Sequence, residues 1–120
     1  MKLIVSGSRF ANIDDGPIIW RELDLIHEQE PIELLIQGGA PGVDAIADEW
    51  ALDVGVESVT VMTDWAKHGK AAGMMRNVEM LKRYPEALVL AFPKGRSPGT
   101  RGCIREAQKM GREPRIVELR

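Results

Sequence analysis

Leu34-Leu35-Ile36-Gln37-Gly38-Gly39-Ala40-Pro41-Gly42-Val43-Asp44 is the stretch on which the reading of this chain turns. Leu34, Leu35 and Ile36 form a continuous apolar run, the pattern of a strand covered on both faces. Gly38 and Gly39 allow positive φ and let the backbone approach a ligand with no Cβ in the way. Pro41 fixes its own φ and has no backbone donor. Gly42 and Asp44 stand where a helix begins. A helix N-terminus presents unpaired N–H groups and the positive end of a dipole, so it is a natural seat for a phosphate. The same residues would also serve as a tight strand-to-helix turn without a ligand, because glycine-rich turns are common in α/β proteins.

On the N-terminal side, Lys2 to Ser6 reads as a strand with Leu3, Ile4 and Val5 buried. Gly7-Ser8-Arg9 follows, at the edge where parallel sheets bind ligands. Ser8 brings a hydroxyl and Arg9 a guanidinium fork that suits phosphate or carboxylate. A surface salt bridge is the alternative role for Arg9. Asp14-Asp15-Gly16-Pro17 marks a helix start, with acidic caps and proline in the first turn. Ile19, Leu23 and Ile26 share one face of that helix, beside Trp20, which reads as core or subunit interface. His27 reads as a cap near the helix end, and Pro31 closes the connection to the strand at Leu34.

On the C-terminal side, a helix spans about Asp44 to Val54, with Val43, Ala47, Trp50, Ala51 and Val54 as its buried stripe and Gly55 as its cap. Ser58 to Thr63 reads as a strand. The segment from Asp64 to Gly73 reads as a loop beyond that strand end. It carries Trp65, Lys67, His68 and Lys70, and Trp65 would either stack on a ligand or fold onto the core. Gly69-Lys70-Ala71 is not a Walker A motif, because the upstream glycine and the following Ser or Thr are missing. Ala71 to Arg83 reads as a helix with Met75, Val78 and Leu81 at helical spacing. Arg76 and Asn77 sit in its first turns, and Glu79 is spaced to pair with Arg76 or Arg83.

Ala87 to Phe92 is the most apolar strand. Pro93 to Gly102 is then a second glycine-rich turn, with Lys94, Arg96 and Arg101 around it. Thr100 reads as a helix cap whose hydroxyl would also meet a phosphate oxygen. Cys103, Ala107 and Met110 form the next buried stripe, Gly111 its cap, and Pro114 to Leu119 a last strand. The alternation β-α-β-α-β-α-β-α-β predicts a single α/β domain over residues 1–120. Its natural form is a doubly wound parallel sheet of about five strands between two layers of helices.

Bulk properties agree with one domain: 120 residues, 44% hydrophobic, with a net charge of -2. Near-neutrality argues against a general nucleic-acid coat or a membrane-surface protein. The single cysteine, Cys103, excludes an intramolecular disulfide framework, and with only His27 and His68 a structural zinc site is not expected. The apolar run at the N-terminus is too short for a signal peptide or a membrane span, so the expected location is the cytoplasm.

Taken in order, Gly7-Ser8-Arg9, Gly38 to Asp44, Trp65 with Gly69 and Ala72-Gly73, Arg76-Asn77 with Met80, and Pro98-Gly99-Thr100 resemble the SLOG superfamily. That superfamily is named for the Smf/DprA and LOG families, and the chain is most similar to its small single-domain YspA-type group, related to YpsA. The resemblance covers nearly the whole chain. It implies a Rossmann-like fold and a nucleotide or nucleotide-derived ligand. It extends to the LOG phosphoribohydrolases, which use an arginine placed like Arg76 and a Pro-Gly-Gly-x-Gly-Thr-x-x-Glu motif. Here that motif is reduced to Pro98-Gly99-Thr100, and the next acidic residue, Glu106, falls about one turn too far along the helix.

Three functions follow. The first is a binding module for a nucleotide or an ADP-ribose-like molecule. In it, Gly7, Ser8 and Arg9 line one edge, and Gly38, Gly39, Ala40, Gly42 and Asp44 form one phosphate turn. Pro98, Gly99 and Thr100 form the other, with Arg76, Asn77 and Trp65 adding side-chain contacts. The second is cleavage of the N-glycosidic bond of a nucleoside monophosphate, with Arg76 assisting and Asp44, Glu79 and Glu106 as the candidate acids. The third is single-stranded nucleic-acid binding, by analogy with DprA, through Lys94, Arg96, Arg101, Arg105 and Trp65. Net acidity and few aromatics weigh against it. No cofactor or dedicated metal site is read, although a phosphate ligand can bring Mg²⁺ with it. A homo-oligomer is compatible with the pattern.

Overall fold

The computed structural model describes residues 1–120, apart from the side chains of Trp65 and Lys70. Five strands, β1 (Lys2–Gly7), β2 (Leu34–Gln37), β3 (Glu57–Thr60), β4 (Leu88–Phe92) and β5 (Arg115–Ile116), form one sheet in the order β3-β2-β1-β4-β5. Every pairing is parallel. The helices are α1 (Gly16–Gln29), α2 (Val43–Val54), α3 (Trp65–His68), α4 (Ala72–Arg83) and α5 (Pro98–Lys109). Among the described residues, no helix is long and apolar enough to cross a membrane.

The period-2 alternation of the strands sorts their side chains into two cores. Leu3, Val5, Leu35, Leu90 and Phe92 meet Ile19 and Leu23 of α1 and Ala47 and Trp50 of α2. Ile4, Ile36 and Val89 meet Met80 and Leu81 of α4 and Cys103 and Ala107 of α5. Helices therefore cover both faces, which is the expected three-layer, doubly wound, Rossmann-like arrangement. The chain winds outward from β1 to β3, then crosses back to β4 on the other side of β1. The reversal leaves a crevice at the carboxyl ends of β1 and β4, where open α/β sheets bind ligands.

Several boundaries differ from the sequence expectation. β3 stops at Thr60: Val61 turns into the α4/α5 core, whereas Met62 is 73% exposed. The segment expected as a loop begins with helix α3. The Asp64 carboxylate accepts the Lys67 amide at 3.0 Å and its carbonyl accepts the His68 amide at 3.1 Å. A 3-10 turn at Gly69–Ala71 then leads into α4. On α4 the buried residues are Ala72, Asn77, Met80 and Leu81, so Met75 is exposed and Asn77 faces inward instead. Val54 and Met110 are likewise more exposed than their stripes predicted. The expected last strand is paired as β5 only over Arg115–Ile116, with a separate bridge from Lys94 to Leu119. His27 does not cap its helix. Its Nδ1 accepts the Ile32 amide at 2.9 Å, and its ring meets Trp50 edge-on at 5.5 Å.

Candidate functional site

A cavity of about 660 Å³ opens at the carboxyl ends of the strands. The end of β1 (Val5 to Gly7) forms its floor, and the β2–α2 turn, α4 and the β4–α5 turn form its walls. Its volume lies within the usual range of small-molecule sites, roughly 300–1,000 Å³. The two glycine turns, similar in sequence, behave differently in it.

In the β2–α2 turn the protein takes up the backbone amides itself. Gly38 and Ala40 each donate to Asp44 Oδ2 at 3.2 Å. Gly39 donates to the Gln37 side chain, which in turn donates to Thr60 at 2.7 Å. Val43 donates to the Ser8 carbonyl at 3.1 Å. Those four amides are thus taken up within the protein and are not offered to a phosphate, whereas the Asp44 and Ala45 amides in the first turn of α2 have no acceptor among the described residues. Gly38 also has a different reason to be glycine. A Cβ there would run into the Arg76 guanidinium, so the missing side chain makes room for Arg76 and not for a ligand. Gly42 has φ +79 and would meet the Ser8 and Arg9 backbone, so it seals the turn against the β1–α1 loop from outside the cavity.

Arg76 and Asn77 brace the walls. Arg76 Nη1 donates to the Gly38 carbonyl at 2.8 Å and to Thr63 Oγ1 at 3.2 Å, and its Nε donates to Asn77 Oδ1 at 2.9 Å. Asn77 Nδ2 reaches the Gly99 carbonyl at 3.4 Å. One pair of side chains thus links the first turn, α4 and the start of α5.

Asp44 lines the cavity at 4% exposure. Its Oδ1 has no hydrogen-bond partner among the described residues. Burial pushes its carboxyl up to about 6, against the opposing pull of the Ala40 amide, the Arg76 charge and the Gly38 amide.

The β4–α5 turn is the open one. Ser97, at φ +41, precedes α5, and its hydroxyl donates to Thr100 Oγ1 at 3.0 Å. Thr100 is therefore not the cap the sequence suggested; it is a buried residue of the first helical turn. The amides of Gly99 and Thr100 belong to that turn and have no intrahelical acceptor. A Cβ at Gly99 would meet nothing within 4 Å. Arg9 and Arg96 are exposed on the same cavity.

The remaining cations are less free. Lys94 donates to Asp15 at 2.7 Å, and the Asp15 carboxylate also accepts the Asn12 amide instead of capping α1. Burial raises the Asp15 pKa, but Lys94 and the Asn12 amide outweigh it and hold the carboxyl below its usual range. Arg101 forks onto Glu118 at 2.9 and 3.0 Å.

Gly7, Ser8, Arg9, Gly38, Gly39, Ala40, Asp44, Arg76, Asn77, Pro98, Gly99 and Thr100 all line this one cavity. Of the other sequence candidates, Glu79 pairs with Arg83 and Glu106 with Lys109, and neither lines it. The stacking expected of Trp65 lies outside the described residues. Gly73 of the Ala72-Gly73 motif lines it too, as do Phe10, Met62, Thr63 and Ser97, which the sequence did not single out as site residues.

Among known proteins, residues 1–68 match the model of the YAcAr family, described as the YspA, cpYpsA-related SLOG family. The chain is 41% identical over 116 residues to Gene 61 protein of Mycobacterium phage D29, across 92% of this chain and 90% of that protein. It also superposes on the X-ray structure of DNA processing protein A (DprA) from Streptococcus pneumoniae. The TM-score is 0.55 at 16% identity, over 97% of this chain and 58% of that one. The likeness to DprA is thus one of fold, and this chain spans little more than half of it. On the family match and the identity to the phage protein, the chain belongs to the YspA, cpYpsA-related SLOG family.

Proposed function

We propose that this protein binds a phosphate-bearing nucleotide or nucleotide-derived molecule, ADP-ribose-like in chemistry, in the cavity at the carboxyl edge of the sheet. Family membership supports a nucleotide-related or nucleic-acid-binding role in general. One observation carries the finer reading: the free first-turn amides of α5 open onto a cavity that also presents Arg9 and Arg96. Amides and dipole at a helix N-terminus favour an anion, and two guanidinium groups add charge.

Saturation-transfer proton NMR with AMP, the other nucleoside monophosphates, ADP-ribose and NAD tests this on the wild type and on Gly99→Asp. The new side chain enters open space and suits a helix N-terminus, so the thermal midpoint should hold or rise slightly. Its carboxylate stands where the phosphate would bind, so affinity should fall at least about tenfold through charge repulsion. Undiminished binding by Gly99→Asp would move the ligand elsewhere. Silence of the wild type across the panel would overturn the reading.

N-glycosidic cleavage is the second reading, favoured by one observation. Asp44 is the one candidate acid on the cavity, and burial pushes its carboxyl up to about 6. A group titrating near neutrality is matched to proton transfer. The same spectra would report it as free-base signals growing with time.

A further inference from the structure

The two ends of this cavity have opposite chemistry. At the α5 end, amides and arginines offer donors and positive charge. At the β2–α2 end, the Gly38, Gly39 and Ala40 amides that line the cavity are already bonded within the protein, and the side chain that borders it is the buried Asp44 carboxyl. A phosphate beside that carboxyl would find repulsion and no donor from Gly38, Gly39 or Ala40. The Asp44 Oδ1 atom, buried and without a partner among the described residues, instead calls for a donor. A buried acceptor left unmatched is unfavourable, and a ligand that supplies the missing donor relieves that.

We infer that Asp44 accepts hydrogen bonds from the vicinal hydroxyls of a ribose, so that the ligand lies with its phosphate at the start of α5 and its sugar against the β2–α2 turn. The inference rests on the nucleotide-binding reading and deepens it. A cis-diol offers two adjacent donors to one carboxylate, and it is common to every ribonucleotide whatever the base. The turn facing it, Gly38 to Pro41, holds only backbone and small side chains, with no aromatic face on which a base would stack. The rest of Asp44 is held in place for this role. Its Oδ2 is fixed by the Gly38 and Ala40 amides, and Gly38 is in turn fixed through its carbonyl by Arg76. Asp44 thus determines specificity for a hydroxylated sugar and is not a phosphate ligand.

The test compares AMP with 2′,3′-dideoxy-AMP by titration calorimetry on wild-type protein, which needs no substitution and cannot fail through misfolding. Removing both hydroxyls should weaken binding at least about tenfold, as expected for hydrogen bonds to a charged group. Asp44→Asn then completes the cycle. Its amide oxygen can replace Oδ2 toward Gly38 and Ala40, which turns its NH₂ toward the sugar, where it can donate to a hydroxyl oxygen but offers no charged acceptor. This variant should therefore discriminate between AMP and the dideoxy analogue several-fold less than the wild type. If the wild type binds both equally, or Asp44→Asn still discriminates as the wild type does, the inference falls while the nucleotide reading stands. If neither AMP nor ADP-ribose binds the wild type, the nucleotide reading falls and takes the inference with it.

Discussion

At Asp15 a buried carboxylate meets the Lys94 ammonium at 2.7 Å and stays charged; at Asp44 a buried carboxylate meets two amides, with only the Arg76 charge nearby, and burial prevails. The Asp44 carboxyl sits at about 6 in the folded chain against a reference of 3.8. Between those values the folded state holds the proton more tightly than the unfolded state. Its contribution to stability is therefore intact below the reference pKa and declines as pH rises through that window, by up to about 3 kcal/mol. Asn at this position carries no such titration. Urea unfolding at several pH values between 4 and 7 should show the wild type losing ground to Asp44→Asn as pH rises, and a pH-independent difference would refute the shift. Arg76 and Cys103 are the groups whose fields Asp44 shares, and both remain in the variant. Asp44 was legible in sequence as a position. Its state was not, because that depends on burial and on the donors and charge that the β2–α2 turn and α4 bring within reach.

The two glycine turns differ at the level of the element. Both join a strand to a helix with glycine at the junction, and both were read as phosphate seats. The first is a closed structural joint. Gly7 admits Val43, Gly38 admits Arg76, and Gly42 lies against the Ser8 carbonyl at positive φ. Gly42→Ala combines left-handed backbone strain with a backbone clash, so it should cost about 2–4 kcal/mol. Gly16→Ala, where a Cβ meets nothing within 4 Å and φ is not positive, should be close to neutral. Denaturant unfolding of the two variants measures the contrast, and equal stability would deny the joint. The second turn keeps its amides open because Ser97 bonds Thr100 and leaves them unbonded. Sequence showed the glycines in both turns. The partners that separate their roles come from β1, α4 and the β1–α1 loop.

Over the whole molecule, ion pairing decides how much of the charge near the cavity is available. Lys94, Arg96, Arg101 and Arg105 looked like a basic patch, but Lys94 is held by Asp15 and Arg101 by Glu118. Arg96 and Arg105, like Arg9 on the cavity, have no ion pair among the described residues. With these three free cations, binding of an oligothymidylate should fall with salt at a slope no steeper than about -2 in log K against log salt; five would give about -3.5. Fluorescence anisotropy between 50 and 200 mM salt measures it. A slope near the steeper value would mean that both ion pairs open to bind nucleic acid.

The amino-acid sequence by itself determined the alternation of strands and helices, the apolar runs that form a parallel sheet, and most of the residues that reach its carboxyl edge. Those features rest on local periodicity and on chain order, which short stretches carry in full. The tertiary structure alone decided that α3 replaces the expected loop, that Glu79 and Glu106 turn to Arg83 and Lys109, and that Arg76 occupies the space Gly38 leaves. It alone decided which glycine turn keeps free donors and which carboxyl is left unmatched. Hydrogen-bond satisfaction and desolvation are properties of what surrounds a group, and here those surroundings come from segments as far as 79 residues apart in the chain, as Asp15 and Lys94 are.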